Sequence, residues 1–308
     1  MKIFIIGGTG LVGSYLLPRL LKAEYQVYAL TRNQEKIQNL ESQGITGIHG
    51  DIRDLESFMT KLPGDLDIIV LLAMPEIKPG KRITKKRKEE LREDTNAFFR
   101  NSMDLAIHFK IPVILPGGTS YSTKKNELAD ETWPILRKGL TAIGADTDVM
   151  IAEAIRMQYP KIIQLIFGKI YGNGGLFRFI FDMMEKGRGR IIGKGNNYIP
   201  NVHADDAAQA IMRAMEKLPL GEKFIIADDT PVTQKDFMNY MAELMQKKSP
   251  GHIPGFMVRL VIGKDLFSIV NMNCRVSNAK AKKVLGWKPK YPSYKGGLIE
   301  VINEMKNR

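Results

Sequence analysis

The residues with the clearest chemical meaning lie within the first thirteen of the chain. Glycines at positions 7, 10 and 13 form a GxxGxxG spacing, directly after the apolar run at 3–6 and before a helical pattern. Glycine in such a place permits a tight turn, lets the backbone approach a pyrophosphate, and lets a helix pack closely on a strand. The amides and the dipole of the helix start attract phosphate. The spacing predicts a dinucleotide-binding loop comprising Gly7, Thr9, Gly10, Leu11, Val12 and Gly13.

The end of the second apolar run indicates which dinucleotide binds. NAD sites usually carry an acidic residue there, which hydrogen-bonds the ribose 2′-hydroxyl, whereas this chain reads Leu30-Thr31-Arg32-Asn33. Arg32 stands where a 2′-phosphate would lie, and a guanidinium binds phosphate through paired hydrogen bonds. The sequence therefore predicts NADP(H) in preference to NAD(H). The alternative is that Arg32 simply faces solvent.

Alternating strands and helices are predicted to position these residues. Near-continuous apolar strands separated by helices indicate a parallel sheet covered on both faces, and hence a doubly wound Rossmann α/β fold with a smaller C-terminal α+β substrate lobe. We expect residues 1–170, together with 201–228, to form the dinucleotide-binding domain, and 171–200 and 229–308 to form the lobe. The predicted strands are 2–6, 26–31, 45–49, 66–73, 111–115, 161–167 and 222–227. The predicted helices are 11–22, 34–42, 89–109, 145–158, 176–186, 205–217 and 233–247, with Thr233 as the N-cap of the last.

Composition limits the classes of partner. The chain has 46 basic and 33 acidic residues and a net charge of +13, with one dense basic cluster at 78–88. A solvated surface, a lid over an anionic substrate and a nucleic-acid contact are the alternatives for this cluster, and it lacks the interleaved aromatic residues that stack on bases. One cysteine, Cys274, excludes an intrachain disulfide. Apolar runs are too short to span a bilayer, and glycines interrupt the first one, so we expect a cytoplasmic protein without a signal peptide.

Further motifs follow in an order known from one superfamily. They are GDIRD at 50–54, LAM at 72–74, TN at 95–96, YG at 171–172, NVHADDAA at 201–208 and AKKVLGWKP at 281–289. With the glycine loop, they resemble the extended short-chain dehydrogenase/reductase superfamily, in its NAD-dependent epimerase/dehydratase branch, over nearly the whole chain. The resemblance implies that Asp51, with Ile52 beside it, contacts the adenine. It also implies that Ala73 and Met74 flank the cofactor.

The catalytic signature departs from that resemblance. The superfamily uses a Tyr, a Lys four residues later on a helix, and a Ser after the fifth strand. Glu153 matches a Glu beyond that Lys, which places Ala145 and Val149 at the Tyr and Lys positions, where neither can transfer a proton. Tyr121 and Lys125 form a literal Tyr-x-x-x-Lys, but in a predicted loop, and we interpret the match as chance. The candidate catalytic residues are then Tyr121 itself and, near the Ser position, Thr119.

Other titratable residues are weaker candidates. We expect His203 to be a hydrogen-bonded structural residue, and Asp146 and Asp148 to be solvated on a helix surface; Lys124 lies beside Tyr121 in the sequence.

Taken together, these features predict an atypical member of the superfamily. It would bind NADP(H) and transfer a hydride on a carbonyl or sugar-type small molecule. The alternative is a catalytically impaired NADP(H)-binding redox sensor of the NmrA type, and a nucleic-acid binder has only the charge in its favour. We expect a small-molecule substrate, no nucleic acid, no membrane and no metal site, with a homodimer left open.

Overall fold

The computed structural model describes residues 1–124, 126–157 and 161–307, and alternating elements fill most of them. Within these residues, no helix combines the length and the apolar character needed to cross a bilayer. In chain order the elements are β1 (Lys2–Ile6), α1 (Leu11–Lys22), β2 (Gln26–Thr31), α2 (Glu35–Glu41), β3 (Thr46–His49), β4 (Ile68–Leu71), α3 (Lys85–Phe109), β5 (Val113–Gly118), α4 (Thr141–Arg156), β6 (Ile162–Phe167), β7 (Lys169–Tyr171), α5 (Gly175–Glu185), β8 (Arg190–Ile192), β9 (Tyr198–Ile199), β10 (Asn201–His203), α6 (Ala204–Lys217), β11 (Lys223–Ile226), β12 (Val232–Thr233), α7 (Gln234–Leu244), β13 (Gly251–Ile253), α8 (Gly255–Val270) and α9 (Tyr294–Lys306).

Seven of the strands form one parallel sheet in the order β11-β6-β5-β4-β1-β2-β3. The chain builds outward from β1 to β3, returns to the other side of β1 at β4, and continues to β11. The reversal between β1 and β4 creates a crevice at the carboxyl ends of the strands, where doubly wound folds bind their ligands. The predicted Rossmann α/β fold is confirmed.

Two cores lie on opposite faces of this sheet, because successive side chains of a strand alternate between faces. Ile3 and Ile5 of β1 pack with α1 and α6, whereas Phe4 and Ile6 pack with α3. All four side chains are at most 1% exposed. The sheet is therefore covered on both faces, as near-continuous apolar strands predict.

The C-terminal part of the chain has its own apolar cluster, built largely from α5, α7 and α9. It is tied to the sheet through Trp287, which is fully buried in the first core and donates from Nε1 to the Asp206 carbonyl at 3.1 Å. The Asp206 carboxylate in turn accepts the backbone amides of Lys290 and Tyr291. These contacts fix the C-terminal segment against the start of α6.

Most predicted elements are present, with shifts at their ends. The helix predicted at 11–22 and the strands predicted at 2–6 and 26–31 have the predicted bounds. Helix α3 begins four residues earlier than predicted, because the Thr84 hydroxyl accepts the Arg87 amide and caps it. Thr233 caps α7 as predicted, through the Asp236 amide. The short strands β7, β8, β9, β10, β12 and β13, together with helices α8 and α9, were not predicted from the sequence.

The basic cluster at 78–88 straddles the start of α3. Lys88 pairs with Asp265 of α8 at 3.1 Å, and Arg87 pairs with Glu90 at the same distance. A methyl group on Gly263, where α8 is kinked with φ near +80°, would lie 3.2 Å from Arg82 Cγ. Part of the cluster therefore holds α8 against α3.

Candidate functional site

Gly7 makes the turn between β1 and α1 possible. Its φ is +92°, in the region that favours glycine, and a methyl group there would lie 2.4 Å from the Ala73 nitrogen. The loop after β1 therefore presses directly on the backbone that follows β4. This close approach closes the crevice between the two strands at its base.

Gly13 and Gly10 serve the two other purposes predicted for glycine in this loop. A methyl group on Gly13 would lie 1.9 Å from the Gly8 carbonyl oxygen, so only glycine lets α1 pack on the turn. A methyl group on Gly10 would meet only the Gly7 carbonyl oxygen, at 3.3 Å, and otherwise enters open space. The space in front of Gly10 is where a diphosphate can approach the backbone.

The start of α1 has the features of an anion site. Gly10 is the N-cap, so no side chain caps the amides of the first turn, and that turn contains no acidic residue. First-turn amides lack intrahelical acceptors and carry the positive end of the helix dipole. Thr9 is exposed, and Leu11 and Val12 are half-buried beside the loop. The residues present thus fit the diphosphate of a dinucleotide.

Arg32 lies at the end of β2 with its side chain 69% exposed and its Nη1 3.9 Å from Asp51 Oδ2. Asp51 is held more closely by Arg53, whose Nε donates to Oδ1 at 3.1 Å, and that hydrogen bond is the main cause of the lowered pKa of Asp51. Arg53 also reaches Asp94. Asp51 stays ionised, and Arg32 keeps most of its donors free for a ligand.

Lys36 is a cation at this end of the site that sequence reasoning missed. Its Nζ lies 3.4 Å from the Thr9 hydroxyl, although 27 residues separate the two in the chain. The Asn33 side chain accepts the Glu35 amide at 2.8 Å and so sets the turn that leads from Arg32 into α2. The available signal was a second basic residue four positions after Arg32.

The remaining predicted cofactor residues line the crevice edge. Ile52 is 4% exposed, and its carbonyl accepts the Asn101 side-chain amide at 2.7 Å. Ala73 is half-buried against Gly7, while Met74 is 52% exposed. These positions remain predictions for cofactor contact.

The residues after β5 lie beside the end of β6. The Thr119 amide donates to the Phe167 carbonyl at 3.0 Å, and Thr119 is 9% exposed. Tyr121 is 1% exposed, packs with Ile166 and Cys274, and its hydroxyl has no hydrogen-bond partner in the described part of the chain. Burial raises the pKa of Tyr121 above its ordinary value. Lys125, the second member of the literal Tyr-x-x-x-Lys, lies outside the described residues.

Helix α4, which should carry the Tyr and Lys of the superfamily, contains neither residue type between Thr141 and Arg156. The predicted positions differ in environment, since Ala145 is 2% exposed and Val149 is 41% exposed. A methyl group on Gly144 would lie 3.9 Å from Ser120 Oγ, so α4 approaches the loop after β5 at Gly144. In either register, α4 supplies no phenol and no amine.

The weaker candidates have structural partners. His203 is fully buried and caps α6, accepting the Asp205 amide through Nδ1 at 3.1 Å. Burial lowers the pKa of His203 to about 4, so the ring is neutral at pH 7. Asp146 pairs with Arg92 at 3.3 Å, and Asp148 lies 3.8 Å from Lys223.

Comparisons with known proteins agree with this architecture. An NmrA-like family model matches residues 1–90. An epimerase family protein of Staphylococcus aureus strain MRSA252 is 23% identical over 310 residues, which cover 99% of this chain and 100% of that protein.

Two solved structures are similar over the whole fold. A human epimerase family protein, solved with NADPH, has a TM-score of 0.82 at 18% identity, and the match covers 98% of this chain and 99% of that one. The dTDP-glucose 4,6-dehydratase of Bacillus anthracis, solved with NAD, has a TM-score of 0.80 at 17% identity over 100% of this chain and 97% of that one. The resemblance to the extended short-chain dehydrogenase/reductase and epimerase/dehydratase fold is confirmed.

Proposed function

We propose that this chain, which has the extended short-chain dehydrogenase/reductase fold, is an NADP(H)-dependent oxidoreductase acting on a carbonyl or sugar-type small molecule. The observation that carries the proposal is the glycine cradle at the start of α1, with Arg32 and Lys36 at one end of it. An uncapped helix start suits a diphosphate, and a pair of exposed cations suits an additional phosphate.

Each part of the cofactor has residues that would hold it. The α1 amides would bind the diphosphate, Arg32 and Lys36 the 2′-phosphate, and the segment at Asp51 and Ile52 the adenine. Ala73 would flank the nicotinamide half. When bound, the cofactor supplies or accepts the hydride; the chain orients the reacting carbon and excludes water.

We further propose that different parts of the chain bind the cofactor and the substrate. Residues 1–170 with 201–228 would bind the cofactor, while 171–200 and 229–308 would cover the substrate. The apolar cluster of α5, α7 and α9 gives that second part a core of its own.

A redox sensor is the second candidate function. Two observations favour it: α4 lacks both the Tyr and the Lys, and the NmrA-like family model matches the cofactor-binding end of the chain. A sensor would bind NADP(H) without turning over a carbonyl substrate.

Cofactor titration tests the shared premise of both functions. We expect NADPH to bind more tightly than NADH, and Arg32→Ala to weaken NADPH binding about 10- to 150-fold, because a charge-assisted contact contributes roughly 1.5–3 kcal/mol. NADH affinity should not change. Arg213→Ala is the control, because Arg213 is an arginine on α6 whose side chain is 44% exposed and paired with Glu216. Unchanged NADPH affinity in Arg32→Ala would contradict the cofactor preference.

Turnover separates the enzyme from the sensor. Oxidation of NADPH is measured as the loss of absorbance of the reduced nicotinamide ring. The protein is mixed in turn with each member of a panel of aldehydes, ketones and keto sugars. Oxidation that depends on the carbonyl compound supports the oxidoreductase. Tight NADPH binding without any such oxidation supports the sensor.

A further inference from the structure

Lys169 occupies a position that neither the glycine cradle nor the sequence motifs explain. It is the first residue of β7 and follows the end of β6 by two positions. The last residue of β6, Phe167, accepts the Thr119 amide. Lys169 therefore lies at the carboxyl edge of the sheet, beside the loop that follows β5.

The other end of β7 leads to the phosphate-binding end of the crevice. Methyl groups on Gly172 and Gly174 would lie 3.2 Å and 3.4 Å from Leu11 Cδ1, at the start of α1. Strand β7 thus runs from the ends of β5 and β6 to the diphosphate cradle. In a doubly wound fold, the nicotinamide half of a dinucleotide extends along this edge.

The surroundings of Lys169 contain no carboxylate partner. The side chain is half-buried, and in residues 1–124, 126–157 and 161–307 it forms no ion pair and no side-chain hydrogen bond. The one titratable group whose charge acts on it there is the thiol of Cys274, itself 1% exposed. Burial lowers the pKa of Lys169 to about 8. An amine whose pKa lies near neutral pH, at the edge of a ligand crevice, is suited to proton transfer.

Lys88 differs from Lys169 in having a carboxylate partner. Its side chain is 25% exposed, but its Nζ pairs with Asp265 at 3.1 Å. Lys88 has a structural partner on α8, whereas the titratable group that acts on Lys169 is the thiol of Cys274. Since no acid of the described residues pairs with Lys169, its charge is available to a ligand.

We infer that Lys169 is the proton donor of the reaction, in place of the phenol and amine that α4 lacks; this rests on the oxidoreductase function proposed above. In the reducing direction, a hydride moves from the nicotinamide C4 to the carbonyl carbon, and the carbonyl π electrons move to its oxygen. That oxygen takes a proton from the Lys169 ammonium, which becomes a neutral amine. Solvent then returns a proton to the amine, so the net reaction consumes NADPH, the carbonyl compound and one proton.

Tyr121 is less suited to this role. Its hydroxyl is enclosed by the protein, has no hydrogen-bond partner in the described residues, and has a raised pKa. Thr119 carries an alcohol that does not titrate near neutrality. Lys169 lies at the carboxyl edge of the sheet, and burial lowers its pKa to about 8, so its ammonium can release a proton near neutral pH.

The first experiment measures the protonation of Lys169 directly in the 308-residue chain. Lysines are reductively dimethylated with ¹³C-formaldehyde and a borane reductant that is removed before cofactor is added. The Lys169 resonance is identified by its loss in Lys169→Arg, and its pKa is measured with bound NADPH and with bound NADP⁺. The oxidised ring is cationic and disfavours a second positive charge beside it. We expect the Lys169 pKa to be lower with NADP⁺ by about one unit, and the chemical shift of the Lys88 resonance to be the same in both complexes.

The second experiment separates binding from chemistry. We expect Lys169→Met to bind NADPH within about threefold of wild type but to lose about a hundredfold or more in carbonyl-dependent NADPH oxidation, since general acid catalysis is worth that much. Lys169→Arg keeps the charge, cannot release a proton, and should be as slow. Lys88→Met is the control and should retain its turnover, with thermal unfolding confirming that each variant is folded.

The outcomes distinguish the inference from the function on which it rests. If wild type binds no NADPH, or reduces no carbonyl compound, the oxidoreductase proposal and this inference fail together. If wild type is active but the Lys169 pKa is equal in the two complexes, or Lys169→Met turns over at the wild-type rate, the inference alone is wrong.

Discussion

Replacing Gly10 by valine is expected to remove cofactor binding while leaving the fold intact. Gly10 has φ −87° and ψ −177°, an extended conformation that valine adopts readily. A methyl group there meets only the Gly7 carbonyl oxygen, at 3.3 Å, which requires a shift of a few tenths of an ångström. The free energy of unfolding should therefore change by no more than about 1 kcal/mol, or a few degrees in Tm.

The effect on the cofactor should be much larger. The valine side chain would fill the open space in front of the α1 amides and keep the diphosphate from at least two of them. Each charge-assisted hydrogen bond contributes roughly 1.5–3 kcal/mol, so losing two costs about 3 kcal/mol or more. Because 1.4 kcal/mol corresponds to a tenfold change, the Kd for NADPH should rise by more than about a hundredfold.

Fluorescence titration with NADPH measures the affinity, and circular dichroism with thermal unfolding measures the fold. Gly64→Val is the control, because Gly64 is exposed and a methyl group there meets nothing within 4 Å. Gly13→Ala provides the opposite result: its added carbon would lie 1.9 Å from the Gly8 carbonyl oxygen, so that variant should lose stability. A folded Gly10→Val protein that binds NADPH as wild type does would refute the assignment of the phosphate site.

Two further predictions concern buried polar groups. Burial raises the pKa of Asp228 to about 8 from 3.8, so the folded protein keeps a proton that the unfolded chain releases, and stability falls as the pH rises between these values. Asp228→Asn should remove this pH dependence of the free energy of unfolding, which amounts to at most about 1.4 kcal/mol per pH unit. Urea unfolding at about pH 5 and pH 8 measures it, and an equal pH dependence in both proteins would contradict the burial argument. The Tyr121 hydroxyl is buried without a hydrogen-bond partner in the described residues, so Tyr121→Phe should leave stability unchanged or raise it by about 1 kcal/mol, with NADPH oxidation within threefold of wild type. A large loss of turnover in that variant would make Tyr121 the proton donor and argue against Lys169.

The sequence by itself determined the class of fold and the glycine turn between β1 and α1, where we propose that the diphosphate binds. Apolar runs of strand length, separated by helical periodicity, depend on neighbouring residues alone, and so β1, α1 and β2 have their predicted bounds. The glycine spacing is equally local, because the turn conformation of Gly7 is a property of a few adjacent residues. The placement of Arg32 at the end of β2 followed from the same pattern.

Only the tertiary structure decided which side chains meet around that site. The Lys36 side chain lies beside the Thr9 hydroxyl. Lys169 interacts electrostatically with Cys274, which is 105 positions later in the sequence. The approach of α4 to Ser120 at Gly144 depends on how that helix rotates against the sheet. Sequence periodicity predicts which face of a helix is apolar, but it does not fix the rotation of the helix to within one residue. Successive residues point about 100° apart, and the apolar stripe of a surface helix is about as wide as that step. Contacts between distant segments arise from packing of the whole chain, and no local pattern records them.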